Sequence, residues 1–461
     1  MASIGTELDD IQGNILRAYG FPFARYEVVR IMNRDGARAL LTSVLDQLFI
    51  TTAATWDPES KPGAALNVFF SWTGLAAMGV PQASLDSFPE EFCQGMNARA
   101  ALLGDTGTNA PATWEFGNDG DRNHVFFAVY GRTLKDRDRM LEKLRAELAA
   151  VGAAIEVTHS LDAAMLSDRR DHFGFADGIG QPPIEGSGVP ACPGGGTPAP
   201  DGSWAPLKAG EFVLGWPGET GHPVQMPQPD VLGRNGSYLV YRKLQQHVPA
   251  FRAFLVKQAE RLYGEASTPN QELLAAKLVG RWRSGCPVAL SPDTDDDVLA
   301  KDRNRNNDFR YAADASGAVC PYGSHIRRMN PRDGRSGDGL VRAHRIVRRG
   351  LPYGSWPKPD ADDAEDEERG LAFMAINASI RYQFEFLQTE WVNNGEFLQL
   401  SRNDVDPLAG EPREGSRFRI PDQQRAPKNI FDLPRFVTLR GGGYYFIPSI
   451  TALRFIAAQV S

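Results

Sequence analysis

The sequence predicts two α+β domains, each an antiparallel sheet with helices on one face, and three observations lead there. The chain has 461 residues, too many for one hydrophobic core, since chains longer than roughly 250–300 residues divide into domains. Both halves alternate short apolar, β-branched runs with stretches of helical period, the pattern of strands interleaved with helices. Between them, the Gly- and Pro-rich stretch 186–210 breaks all periodicity. The boundary is therefore expected near residue 200, with one domain over 1–200 and the other over 201–461.

Residues 66–72 and 124–130 are aromatic and β-branched runs bounded by Asn, Asp or Gly, and read as strands. Leu134, Leu141, Leu144, Leu148 and Val151 recur on one helical face, which predicts a helix over 134–151. Residues 154–159 read as a further strand. After the break, 211–216 and 237–242 read as strands and 248–262 as a helix. The apolar run 370–376 leads into a helix over 379–392. Residues 436–440, three glycines and 444–447 predict a hairpin before a terminal helix. The glycines of 174–180 lack the G-x-G-x-x-G order and the βαβ unit of a dinucleotide site.

A net charge of −7 argues against a nucleic-acid partner, which calls for a basic patch. The acidic runs 293–297 and 360–368 read as solvated loops. Cys93, Cys192, Cys286 and Cys320 are far apart with no C-x-x-C, against a thiolate-bound cluster and against a disulfide scaffold. The start of the chain lacks a basic segment followed by an apolar core, and no apolar run approaches the ~18 residues of a membrane span. A cytoplasmic protein without membrane partners is the expectation.

Two segments carry the chemistry. Phe173-Gly-Phe-Ala-Asp-Gly-Ile-Gly-Gln-Pro182 holds one acid, Asp177, between glycines and against apolar Phe173 and Phe175. Gly323-Ser-His-Ile-Arg-Arg-Met-Asn-Pro-Arg332 holds His325 among Arg327, Arg328 and Arg332. A histidine able to bind haem iron, arginines able to hold haem propionates and a separate carboxylate able to move a proton are the minimum equipment for cleaving a peroxide O–O bond. Glu385, Asp404 and Asp406 all remain candidates to hold the second nitrogen of His325.

With these two segments, Asp10-Ile-Gln-Gly13, Gly210-Glu-Phe-Val-Leu-Gly215, Ile346-Val-Arg-Arg-Gly-Leu-Pro-Tyr-Gly354, Gly370-Leu-Ala-Phe373 and Gln383-Phe-Glu-Phe-x-Gln388 resemble, in order along nearly the whole chain, the motifs of the dye-decolourising peroxidases. The resemblance implies two ferredoxin-like domains in a dimeric α+β barrel-like arrangement, with haem b (iron protoporphyrin IX) held in the second. It implies His325 as axial ligand of the haem iron and Asp177 as acid–base group. Arg348 would stabilise peroxide beside the haem, Arg332 would contact a propionate, and Leu371 and Phe373 would form part of the roof. Tyr353 and Trp391 match positions that serve some members as surface electron relays, with ordinary packing aromatics as the equal alternative. Hydrogen peroxide and bulky aromatic reductants such as anthraquinone dyes and phenols are the implied substrates, and a homo-oligomer is compatible with the family. Two other functions would use the same fold type: a haem-handling protein that stores, transfers or demetallates haem, and a chlorite dismutase-like enzyme. The latter leaves the Gly-x-x-Asp-Gly turn without a purpose.

Overall fold

The computed structural model describes residues 3–48, 50–57, 59–118, 122–166, 168–199, 201–334, 338–355, 367–422 and 424–458. The first half contributes strands β1 (Phe23–Ile31), β2 (Ala64–Phe70), β3 (Val125–Gly131) and β4 (Ile155–Ala164). The second contributes β5 (Ser237–Gln246), β6 (Val347–Arg348), β7 (Leu351–Tyr353), β8 (Gly370–Asn377) and β9 (Val437–Ile447). They pair antiparallel in the order β4-β1-β3-β2-β9-β5-β8-β6, with β7 also on β8. Two separate sheets were the expectation. Instead β2 and β9 meet at Phe70 and Phe446, and the halves share one open sheet.

Both faces of the inner strands β2, β3, β5, β8 and β9 are buried, which is why they read as near-continuous apolar runs, whereas the edge strand β4 stays partly exposed. Along β3, Val125, Phe127 and Val129 enter one core, and Phe126, Ala128 and Tyr130 the other. The same alternation runs through Tyr238–Tyr241 and Tyr444–Ile447. Six helices matter here: α1 (Arg34–Ser43), α2 (Leu134–Ala150), α3 (Val248–Tyr263), α4 (Thr268–Val279), α5 (His325–Met329) and α6 (Ile450–Ala458). The first core lies under α1, α2 and α6, through Leu40, Leu144 and Leu453. In the second, the two halves of the sheet face each other: the Tyr26 ring of β1 is 5.9 Å from Tyr241 of β5, and Phe126 of β3 is 5.3 Å from Tyr445 of β9. The sheet thus curls upon itself. A third core joins α3 and α4 to Phe173, Phe418 and Phe436.

Helix α2 starts where Thr133 accepts the Asp136 N–H at 3.1 Å. It buries Leu141, Leu144 and Leu148 as expected, while Leu134, in its first turn, is exposed. Two expectations fail. Residues 211–216 are not a strand: Val213 N–H bonds to Ala209 O, Leu214 N–H to Gly236 O, and Gly215 has φ +83°. The run is apolar because Phe212, Val213 and Leu214 are fully buried as coil. The glycines 441–443 do not turn a hairpin but lie inside the single strand β9. A Cβ at Gly442 would come within 2.3 Å of Tyr241 O, and one at Gly441 within 2.7 Å of Phe116 O; backbone crowding, not a turn, requires glycine there.

Of the acidic run 360–368, residues 360–366 lie outside the described residues; Glu368 pairs with Lys243 at 2.9 Å. The other run is exposed, and Asp296 caps a short helix (Asp297–Lys301). Among the described residues, no helix is long and apolar enough to cross a membrane.

Candidate active site

Asp177 stands at the end of a tight loop. Asp171 N–H bonds to Phe175 O at 2.9 Å, Gly174 N–H to Asp171 O at 2.9 Å, and Asp177 N–H to Arg169 O at 3.1 Å. Gly178, at φ +83°, lets the chain turn back so that its N–H reaches Asp177 Oδ1 at 2.6 Å. Arg348, at the end of β6, donates from Nη1 to the same oxygen at 3.0 Å and from Nη2 to Ile179 O at 3.2 Å. Gln181 fixes β6 to the loop by accepting Arg348 N–H and donating to Arg348 O, both at 3.1 Å. Burial pushes the Asp177 carboxyl up, but the Arg348 charge, the Gly178 N–H, the Arg348 hydrogen bond and the His325 charge outweigh it, and its pKa falls below the ordinary value.

His325 opens helix α5. Its Nδ1 donates to Asp406 Oδ2 at 2.9 Å, while Asp406 Oδ1 accepts the N–H groups of Leu408 and Ala409, each at 2.9 Å. An ionised carboxylate is an acceptor only, so in the neutral imidazole the proton sits on Nδ1 and Nε2 carries the lone pair. Burial alone would lower the His325 pKa; the Asp406 charge and hydrogen bond raise it above the usual value. The partner left open by the sequence is therefore Asp406. Glu385 bonds instead to Arg99 and Tyr444, and Asp404 to Arg417.

Asp177, Arg348, His325, Arg332, Leu371 and Phe373 all line one cavity of about 720 Å³. Leu371 and Phe373 alternate on β8 with Ala372 and Met374, which point into the inter-sheet core. Although deep in the molecule, the Asp177 and His325 side chains are 49% and 30% accessible, because they border this cavity.

A dye-decolorizing peroxidase of Mycena epipterygia is 34% identical over 98% of this chain and 87% of its own. The chain belongs to the dye-decolourising peroxidases. Two family models match it, the DyP dimeric alpha+beta barrel domain over residues 10–166 and the Dyp-type peroxidase C-terminal domain over 220–403. A multifunctional dye peroxidase of Amycolatopsis is 30% identical over 97% of this chain and 96% of its own. Among solved structures, an ancestral D-type dye-decolorizing peroxidase superposes with a TM-score of 0.84 at 32% identity, covering 98% and 99% of the two chains. A dye-decolorizing peroxidase in complex with 2,6-dimethoxyphenol gives 0.81 at 28% identity, over 98% and 99%.

Dye-decolourising peroxidases are haem enzymes, and the cavity suits a haem. His325 Nε2 has the right donor chemistry for iron, and the β8 side chains supply an apolar wall. Arg281, Arg332 and Arg345 also line it. Arg332 donates to Asn307 O at 3.0 Å, Phe309 O at 2.8 Å and Asn307 Oδ1 at 2.6 Å. Arg281 bonds to Gly285 O, Asn306 O and Asn307 Oδ1, and Arg345 to Gly195 O and Gly180 O. All these acceptors are neutral. Burial and mutual repulsion lower the Arg281 and Arg345 pKa values to about 10 and about 9. A cationic wall that bonds no carboxylate among the described residues is suited to the acidic side chains of a haem.

Sequence reasoning did not single out Arg281, Arg345, Asn307 or Asp171; the first three come from segments with no local motif. Of the two placements open to Tyr353 and Trp391, surface or packing, the structure has both rings packed inside. Tyr353 is 4% and Trp391 1% exposed. Tyr353 donates to Glu368 Oε1 at 3.0 Å beneath the Lys243 ammonium, and Trp391 is enclosed by His344, Phe386 and Phe397.

Proposed function

We propose that the protein is a haem peroxidase in which His325 is the axial ligand, Asp177 moves the peroxide proton and Arg348 stabilises charge on the peroxide oxygens. The observation that carries this reading is the Asp177–Arg348 pair in the same cavity as a histidine whose Nδ1 proton is held by Asp406. A haem carrier has no need of a paired acid and base. The haem, taken as haem b because no C-x-x-C-H attachment sequence exists, supplies the redox centre that accepts electrons singly from reductants.

The chain's own residues do the rest. The depressed pKa keeps Asp177 ionised and ready to take a proton from one peroxide oxygen. The same carboxyl then returns it to the departing oxygen, a role worth typically ~10²–10⁴ in rate. The Arg348 guanidinium faces the charge that develops on those oxygens; losing such a donor costs roughly 10²–10³. Arg332, with Arg281 and Arg345, holds the propionate side, and Leu371 and Phe373 roof the site and exclude bulky reductants. Relatives of this length act on dyes, and one has been solved with a phenol, which supports anthraquinone dyes and phenols as reductants. The reading also treats 1–200 and 201–461 as the two domains, supported by family matches on either side of that boundary.

The test is to mix haem-loaded protein with hydrogen peroxide and an anthraquinone dye. Rapid bleaching that requires both is expected. Tight haem binding with no bleaching of dye or phenol would turn the assignment to a haem carrier.

A further inference from the structure

A second acid, half-buried, borders the cavity. Asp171 lies in the loop that ends at Asp177, lines the same cavity and, among the described residues, makes no ion pair. Its Oδ1 accepts Phe175 N–H at 2.8 Å, and its Oδ2 accepts Gln246 Nε2 at 3.1 Å from the end of β5. With the two backbone bonds already described, Asp171 closes the loop on itself and ties it to the sheet. We propose that Asp171 is a positioning residue for Asp177, and that its ionisation, not that of Asp177, sets the acid-side fall of peroxide cleavage.

The charged groups around it are few. Asp177 faces it from its own loop and repels it; Arg283, before Gly285, attracts it. Arg283 is itself engaged by Glu272 of α4 and by Phe173 O. Arg170 pairs with Asp168 and bonds to Gly174 O, His172 turns to Tyr353 O, and β5 meets it through the neutral Gln246, its Arg242 and Lys243 being paired with Asp105 and Glu115. Burial, the first of these influences, therefore dominates, and the carboxyl is pushed up to about 6, whereas Asp177 is held below its ordinary value.

The direction follows from the charges. When Asp171 is ionised, its field raises the proton affinity of Asp177 and makes it the stronger base. When Asp171 takes up a proton, that field vanishes, and the loop hydrogen bonds fall on a neutral acceptor and weaken. Peroxide cleavage should slow as pH falls through about 6, by roughly tenfold if the two carboxyls couple by one pKa unit.

The inference rests on Asp177 being the proton carrier, and the test separates the two. The second-order rate constant with hydrogen peroxide is measured by stopped flow on haem-loaded protein from pH 4 to 8. The parent should show an inflection near 6, Asp171→Asn should lose it, and Asp171→Glu should restore it at a shifted pH. The asparagine still accepts Phe175 N–H, and Gln246 Oε1, buried with no partner, can take its new N–H, so the fold is kept. If Asp171→Asn retains the parental inflection, or merely loses the same factor at every pH, the inference is overturned. If Asp171→Asn fails to load haem, an Asp171→Glu profile identical to the parent's overturns it equally. An Asp177→Asn variant as fast as the parent would instead sink the reading of Asp177 itself.

Discussion

Asp406→Asn is the sharpest test of the proximal side, since it changes one atom's hydrogen-bonding sense and almost no volume. Asp406 Oδ1 is already committed to the N–H groups of Leu408 and Ala409, so the amide must keep its oxygen there and turn its NH₂ toward His325. A donor facing Nδ1 forces the imidazole proton onto Nε2, removing the lone pair that iron needs. Loss of such a partner typically costs ~10–100-fold in metal affinity, about 1.4–2.8 kcal/mol at 1.4 kcal/mol per decade. Asp406→Ala should behave differently. It also removes the acceptor of the half-buried Leu408 N–H and of the Ala409 N–H, adding about 1 kcal/mol of instability. Haem titration followed by difference absorbance gives the affinity, and thermal melting of the haem-free proteins gives the stability. The asparagine variant should melt close to the parent yet bind haem at least tenfold more weakly. Unchanged affinity and an unchanged haem spectrum in Asp406→Asn would refute the tautomer argument and place the axial ligand elsewhere.

Arg348→Leu and Asp177→Asn should both load haem normally but slow peroxide cleavage by ~10²–10³ and ~10²–10⁴, measured by stopped flow; parental rates in both would refute the distal assignment. Tyr353→Phe loses one hydrogen bond to Glu368 and should cost about 0.5–1.5 kcal/mol, and Trp391→Phe should lower stability through lost packing. Neither should slow a large dye more than a small phenol in steady-state assays; a selective loss on the dye would mean that the buried ring relays electrons. His172, 2% exposed, has its pKa lowered to about 4 by burial. A depressed histidine is stabilising above its unfolded value and loses that contribution as pH falls through 6.5 toward 4. The stability advantage of the parent over His172→Gln should therefore shrink by about 3 kcal/mol across that window, at 1.36 kcal/mol per pKa unit. Urea denaturation at pH 7 and pH 4 measures it, and an advantage independent of pH would show that His172 does not titrate as stated.

The contrast between what could and could not be read from the sequence has a physical cause. β3, β5 and α2 were legible because their apolar period is local. The junction of β2 with β9 was not, since a pairing between strands at opposite ends of the chain leaves no local trace. Residues 211–216 misled because a fully buried coil is as apolar as a buried strand. The glycines 441–443 misled because glycine serves a turn and a crowded backbone equally well, and only the nearness of Tyr241 O and Phe116 O separates them.

The site divides in the same way. Asp177, His325 and Arg348 sit in short segments whose spacing reflects their chemistry, so motif and geometry agree on their sharing a cavity. Burial is a different matter. Tyr353 and Trp391 carry no sign of it in their neighbours along the chain, because the groups that enclose them arrive from other elements. Asp406 was one of three acids, and only the existing bonds of Glu385 and Asp404 exclude those two. The arginine wall shows the limit most clearly. Arg281 and Arg345 look like any surface arginines in sequence, yet they are buried and, among the described residues, bonded to neutral acceptors only. That is costly for a protein alone, and it becomes reasonable when the missing negative charge is brought by the molecule the cavity is built to hold.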